Sequence, residues 1–92
     1  MDSIVTHNVQ ASRFELTIDG HTAFADYRAD NDVLFITHVE APLALRGTGA
    51  AGKLMQGMLE KLRAEDQKVT PVCSYAAAWI RKHKEFYPLL AK

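Results

Sequence analysis

Residues 45–55 read LRGTGAAGKLM, and the spacing of the glycines supports three different anion-binding motifs. Gly47, Gly49 and Gly52 spell GxGxxG, the pattern of a dinucleotide-binding turn; Gly47 through Lys53 spell GxxxxGK, most of a P-loop; Arg46 through Ala51 spell RxxGxA. Each motif belongs in a different fold, so the flanking elements have to decide between them.

Upstream, Phe14, Leu16 and Ile18 alternate with Glu15 and Thr17, the period of a half-buried strand, and Asp19-Gly20 supplies a two-residue hairpin turn. A second strand is expected over about 21–28, with a turn at Ala29-Asp30-Asn31-Asp32. VLFITHVE (33–40) is β-branched and aromatic enough for a central strand, and a short strand near Ile4 to Val9 opens the chain. Downstream of Pro42 the period changes. Ala51, Leu54, Met55, Met58, Leu59 and Leu62 recur at steps of three and four, which predicts a helix from about Thr48 to Glu65. Gly52 and Gly57 inside it each cost about 1 kcal/mol relative to alanine, so close approach to the backbone, or tight packing on the sheet, is expected there. KVTPVC (68–73) reads as a strand that Pro71 leaves unpaired on one side, and YAAAWIRKH (75–83) as a helix with Trp79 and Ile80 inward. Phe86, Tyr87, Leu89 and Leu90 are expected to close the core. The chain thus forms an antiparallel β-meander followed by α-β-α, an α+β arrangement in one domain spanning 1–92.

This order excludes two of the three motifs. A P-loop needs a hydroxyl after the lysine to hold Mg²⁺, and Leu54 follows Lys53. A dinucleotide turn needs a strand running straight into the first glycine within a parallel unit. Here the residues APLALR (41–46) intervene and the preceding hairpins are antiparallel. The RxxGxA reading requires less: N–H groups exposed at a helix start, small residues that admit a diphosphate, and the helix dipole. The residues from Arg46 to Ala51 meet that need, and Thr48 adds a hydroxyl. The plainer alternative is a glycine-rich turn that merely enters a helix.

Composition narrows the function classes. The chain has 92 residues, with 11 Lys plus Arg against 11 Asp plus Glu, so no global field attracts nucleic acid or an anionic membrane. Its apolar runs are far shorter than the roughly 20 residues of a membrane span. The single cysteine, Cys73, has no internal disulfide partner, and no charged-then-apolar leader opens the chain, so a cytoplasmic location is expected. His7, His21, His38 and His83 match no metal-ligand spacing, and no metal is expected.

A meander, a central strand, RxxGxA opening a long helix and then a splayed strand: this arrangement resembles the GNAT superfamily of acyl-CoA-dependent N-acetyltransferases. Arg46, Gly49 and Ala51 match its Arg/Gln-x-x-Gly-x-Gly/Ala signature. EAPLALRGTGAAGKL followed by VTPVCSYAAAWIRKHKEF is similar to a branch of very small, single-domain members. The resemblance implies acetyl-CoA (coenzyme A) lying between strands 33–40 and 68–73 of a mixed sheet. Its pantetheine would meet the backbone near Val39 and Ala41. Its diphosphate would sit on the N–H groups of Gly47 to Gly52, within a cofactor-binding stretch of Leu45, Arg46, Gly47, Thr48, Gly49, Ala50, Ala51, Gly52 and Lys53. Lys53, Arg81, Lys82 and Lys84 are candidates for the adenosine 3′-phosphate, although exposed lysines and arginines are usually plain solvated surface.

The chemistry implied is attack of an amine on a thioester, with a base for the ammonium proton and an acid for the departing thiolate. Glu40 is the first candidate base and His38, two residues earlier on the same strand face, the second; Tyr75 is the candidate acid. Cys73 is placed near the thioester as a covalent acyl acceptor or as lining of the acyl pocket. Larger family members carry helices between the first two strands, whereas here Asp19-Gly20 turns directly. An open acceptor side is therefore expected, suited to a protein or peptide amine or to a wall supplied by a second subunit, so both monomer and homodimer remain open. The alternatives to an enzyme are a non-catalytic acyl-CoA binding or sensing module and a small interaction domain that binds no CoA.

Overall fold

The structure is a computed structural model and describes residues 4–91. Its elements are β1 (Val5–Asn8), β2 (Arg13–Ile18), β3 (His21–Asp30), β4 (Val33–Glu40), α1 (Ala50–Ala64), β5 (Lys68–Pro71) and α2 (Ser74–Arg81). Short 3₁₀ segments cover Leu43–Leu45 and Lys84–Leu89. The five strands form one sheet in chain order, antiparallel from β1 to β4 and parallel between β4 and β5. This is the expected meander followed by α-β-α.

The hairpins follow from their turn residues. Asp19 (φ 51°) and Gly20 (φ 79°) both take positive φ, as do Asn31 (51°) and Asp32 (65°), the backbone that matches the twist of two-residue hairpins. The second turn is shorter than the sequence suggests, because Ala29 and Asp30 pair with Leu34 and Val33 and extend β3.

One face of the sheet carries the core. Phe14 and Leu16 of β2, Ala23 and Ala25 of β3, Leu34 and Ile36 of β4 and Val69 of β5 are buried. They pack with the stripe Leu54, Met55, Met58, Leu59 and Leu62 of α1. Gly57 is explained by this packing: a Cβ there would overlap the Cγ2 of Val5 and lie 2.9 Å from its Cβ, so β1 sits directly on the helix backbone. The alternate strand residues on the opposite sheet face are not buried.

Two boundaries and the burial of two aromatic residues differ from expectation for physical reasons. The helix begins at Ala50 rather than Thr48, because Gly49 is left-handed (φ 82°) and caps it. Strand β5 stops at Pro71 rather than Cys73: the amides of Val72 and Cys73 both donate to the carbonyl of Ile36 at 3.0 Å, which ends the ladder and turns the chain into α2. In the closing segment Phe86 and Leu89 are buried, but Tyr87 is exposed and donates its hydroxyl to the Arg81 carbonyl at 2.9 Å. Trp79, expected inward with Ile80, is only half-buried at the rim of the core. No helix of the described residues is long and apolar enough to cross a membrane.

Candidate active site

The site is built by a fault in the alternation of β4. Leu34 and Ile36 point into the core, and strict alternation would send His38 and Glu40 after them. Instead Tyr27 of β3 pairs with Ile36 while Asp26 pairs with His38, so Thr37 is an extra residue on β4. Such a bulge reverses the side-chain phase beyond it. Val39 and Ala41 then pack against the core, and His38 and Glu40 emerge on the open face. Their side chains meet there, with Nε2 of His38 2.8 Å from Oε1 of Glu40. With the two side chains 55% and 49% exposed, the pair adds little stability and is available to a ligand.

The second feature is the gap between β4 and β5. Pairing stops at Ile36 with Pro71, so Thr37–Glu40 have no strand neighbour on the β5 side among the described residues. The cleft beyond, about 410 Å³, is lined by His38, Val39, Glu40, Ala41, Arg46, Ala51 and Tyr75. The sequence singled out all seven, and the structure brings them together.

The glycine loop borders this cleft. Leu45 is buried and anchors the loop in the core; it offers a ligand only backbone, and its carbonyl accepts from the amide and the hydroxyl of Thr48. Arg46 is exposed and lines the cleft, and its Nε donates to the Ala41 carbonyl at 3.2 Å, tying the loop to the end of β4. The Thr48 hydroxyl accepts from the Ala50 amide at 3.3 Å. The amides of Gly47, Gly49, Ala51 and Gly52 are left without a protein acceptor among the described residues. Gly47 and Gly49 are both at φ 82°, and a Cβ at either would point into open space. Open space, small residues and unpaired N–H groups at a helix start are what a diphosphate requires. Lys53, Arg81, Lys82 and Lys84 are all exposed.

Tyr75 opens α2 and is 40% exposed at the cleft. Its phenol is held above the ordinary tyrosine value, first by burial and then by the neighbouring Cys73. Cys73 is the half-buried N-cap residue of α2, packs against the core and is not among the cleft-lining residues.

Sequence reasoning missed the neighbours of the His38–Glu40 pair. Asp26 and Phe24 lie opposite them on β3. Arg13 bridges to Asp26 at 2.9 Å with its guanidinium 4.0 Å over the Phe24 ring. The available signal was the spacing of apolar residues in β4, where Leu34 and Ile36 are followed by Val39, a step of three where a regular strand has two.

A family model for the GCN5-related N-acetyl-transferase matches residues 13–89, from the start of β2 to the end of the last 3₁₀ segment. Among solved structures, the NMR solution structure of a GCN5-like protein from Staphylococcus aureus, provisionally an N-acetyltransferase, superposes with a TM-score of 0.67 at 23% identity. The match covers 95% of this chain and 86% of that one, and at this identity it speaks for the fold. Among curated proteins, none matches the chain.

Proposed function

Since the chain belongs to the GCN5-related N-acetyl-transferase family, and so to the N-acetyltransferases as an enzyme class, we propose that it transfers an acetyl group from acetyl-CoA to a primary amine in the β4/β5 cleft. The observation that carries this reading is the cleft itself: His38, Glu40 and Tyr75 converge on it beside the unpaired amides at the start of α1.

The residues present fit the donor. The amides of Gly47, Gly49, Ala51 and Gly52 would hold its diphosphate, and the free edge of β4 near Val39 and Ala41 would meet its pantetheine. Acetyl-CoA, when bound, supplies an acyl carbon activated as a thioester. The chain's own residues handle the protons. An amine is mostly protonated near neutral pH, and His38 and Glu40 stand where the open side admits it. Imidazole exchanges protons in the physiological range, and the 2.8 Å contact lets the Glu40 carboxylate orient the His38 ring and balance the charge it gains. One new C–N bond would form as the C–S bond breaks; the first ammonium proton would pass to the His38–Glu40 pair before attack, and the second, lost from nitrogen after attack, would replace the proton that Tyr75 gives to sulfur. Tyr75, a phenol and so neutral near neutral pH, would donate its proton to the leaving sulfur. Direct transfer therefore leaves Cys73 without a covalent role.

Among the described residues, the acceptor side is bounded by the open sheet face around Phe24, Asp26 and the His38–Glu40 pair. That openness favours an amine at the end of a peptide or protein. Thermal unfolding with acetyl-CoA tests the donor: ligand at 100 times its dissociation constant should add about 2.7 kcal/mol. Acetylation of a lysine- and N-terminus-bearing peptide set tests the transfer. A melting point unmoved by millimolar acetyl-CoA would remove the reading. A shift without turnover on any amine would leave a CoA-binding module.

A further inference from the structure

We propose that the indole Nε1–H of Trp79 is a ligand for the diphosphate of coenzyme A, donating across the space that Gly52 leaves on the first turn of α1; this rests on the acyl-CoA reading above. The two glycines inside α1 have different explanations. At Gly57 a Cβ would collide with Val5, so packing demands glycine. At Gly52 a Cβ would lie 3.5 Å from Nε1 of Trp79, an ordinary van der Waals contact. Packing would accept alanine there, and alanine is the better helix former. What alanine would fill is the space between the first-turn backbone and the indole N–H.

That N–H is a donor in waiting. It meets no acceptor among the described residues, and it is not sealed from solvent, since no buried side-chain nitrogen or oxygen lacks a partner. The ring carrying it is held in place. The His83 imidazole stacks on it at 3.5 Å and 7°, and Nδ1–H of His83 donates to the Trp79 carbonyl at 2.6 Å. The buried Phe86 ring lies 5.8 Å from the indole on the core side. Tyr75 and Trp79 are one turn apart on α2 and share a face. The face that gives Tyr75 to the cleft beside Ala51 gives Trp79 to Gly52 on the adjacent helix. An oxyanion accepting from the Gly52 amide is within reach of the indole, so Trp79 adds a fifth, side-chain donor to the four backbone ones.

The chain has one tryptophan, so its indole N–H is a single, unambiguous NMR resonance. Titrating the ¹⁵N-labelled protein with coenzyme A should move that resonance downfield together with the amides of Gly49 and Gly52, saturating at the same concentration. Inorganic pyrophosphate should move the same set, while S-acetylpantetheine, which lacks the diphosphate, should leave the indole in place. Loop amides that move while the indole stays would overturn this inference and leave the CoA reading standing. If no loop amide moves, the CoA reading falls and this one with it. Trp79→Phe keeps the aromatic stack and removes the donor; its affinity for coenzyme A, measured by calorimetry, should fall roughly tenfold, and unchanged affinity would overturn the proposal. Gly52→Ala should melt no lower than the wild type yet bind coenzyme A more weakly, and full affinity in that variant would count against it equally.

Discussion

Gly49→Ala probes the backbone geometry on which the anion site depends. Gly49 sits at φ 82°, ψ 11° as the cap of α1, where an L-residue pays about 1–2 kcal/mol. Its new Cβ would meet nothing within 4 Å, so no packing gain offsets the strain. The smaller conformational freedom of alanine in the unfolded chain returns about 0.4–1 kcal/mol. The net loss is therefore on the order of 0.5–1 kcal/mol, and at about 4–8 °C per kcal/mol for a domain of this size the ligand-free variant should melt roughly 2–8 °C lower. Gly49→Asn should lose less, since asparagine tolerates the left-handed region. The assay is thermal unfolding followed by circular dichroism, without ligand and with acetyl-CoA. The open space into which the Cβ projects is where the diphosphate is placed, so affinity should also drop at least tenfold, equivalent to about 1.4 kcal/mol. A ligand-free variant that melts at or above the wild type, as replacement of an ordinary helix-interior glycine would, refutes the left-handed cap. An undiminished response to acetyl-CoA refutes the placement of the diphosphate.

Gly57→Ala should destabilise the protein by about 1–3 kcal/mol through collision with Val5, and in a Val5→Ala background the same change should cost less; a double-mutant cycle showing no coupling would contradict the packing of β1 on α1. Deleting Thr37 removes the extra residue, so His38 follows Ile36 directly and regular alternation keeps it and Glu40 on the open face; the variant should still unfold cooperatively, and loss of cooperative unfolding would contradict the reading of Thr37 as the extra residue of β4. Tyr75→Phe should lower kcat about 100-fold or more if the phenol is the acid; an unchanged kcat would exclude it. Because the pKa of Tyr75 is raised in the folded state, its neutral form stabilises the fold fully below the unfolded value of about 10 and this contribution is lost as pH rises through the folded value. Tyr75→Phe should accordingly flatten the alkaline decline of the melting temperature.

Much of this architecture was legible in the sequence because local chemistry carried it. Asp19-Gly20 and Asn31-Asp32 can occupy left-handed turns at little cost, and the period-two strands and the three-four stripe of α1 each face a single core. The excess of glycine between residues 47 and 52 marked an open loop at a helix start, and Pro71 marked the place where β5 parts from β4. These are signals confined to a few neighbouring residues, so the order of residues by itself determined the fold class, the loop and the gap. The facing of His38 and Glu40 was of another kind. A bulge arises from the register between two strands, and only the pairing of Tyr27 with Ile36 and of Asp26 with His38 shows that Thr37 is the extra residue. The same holds for Cys73, whose closeness in sequence to Tyr75 says nothing of its side chain turning to the core, and for Trp79, whose indole meets Gly52 only because two helices pack side by side. Contacts between elements depend on the geometry of their packing, which no local pattern encodes; that geometry decided which side chains reach the cleft and which remain in the core.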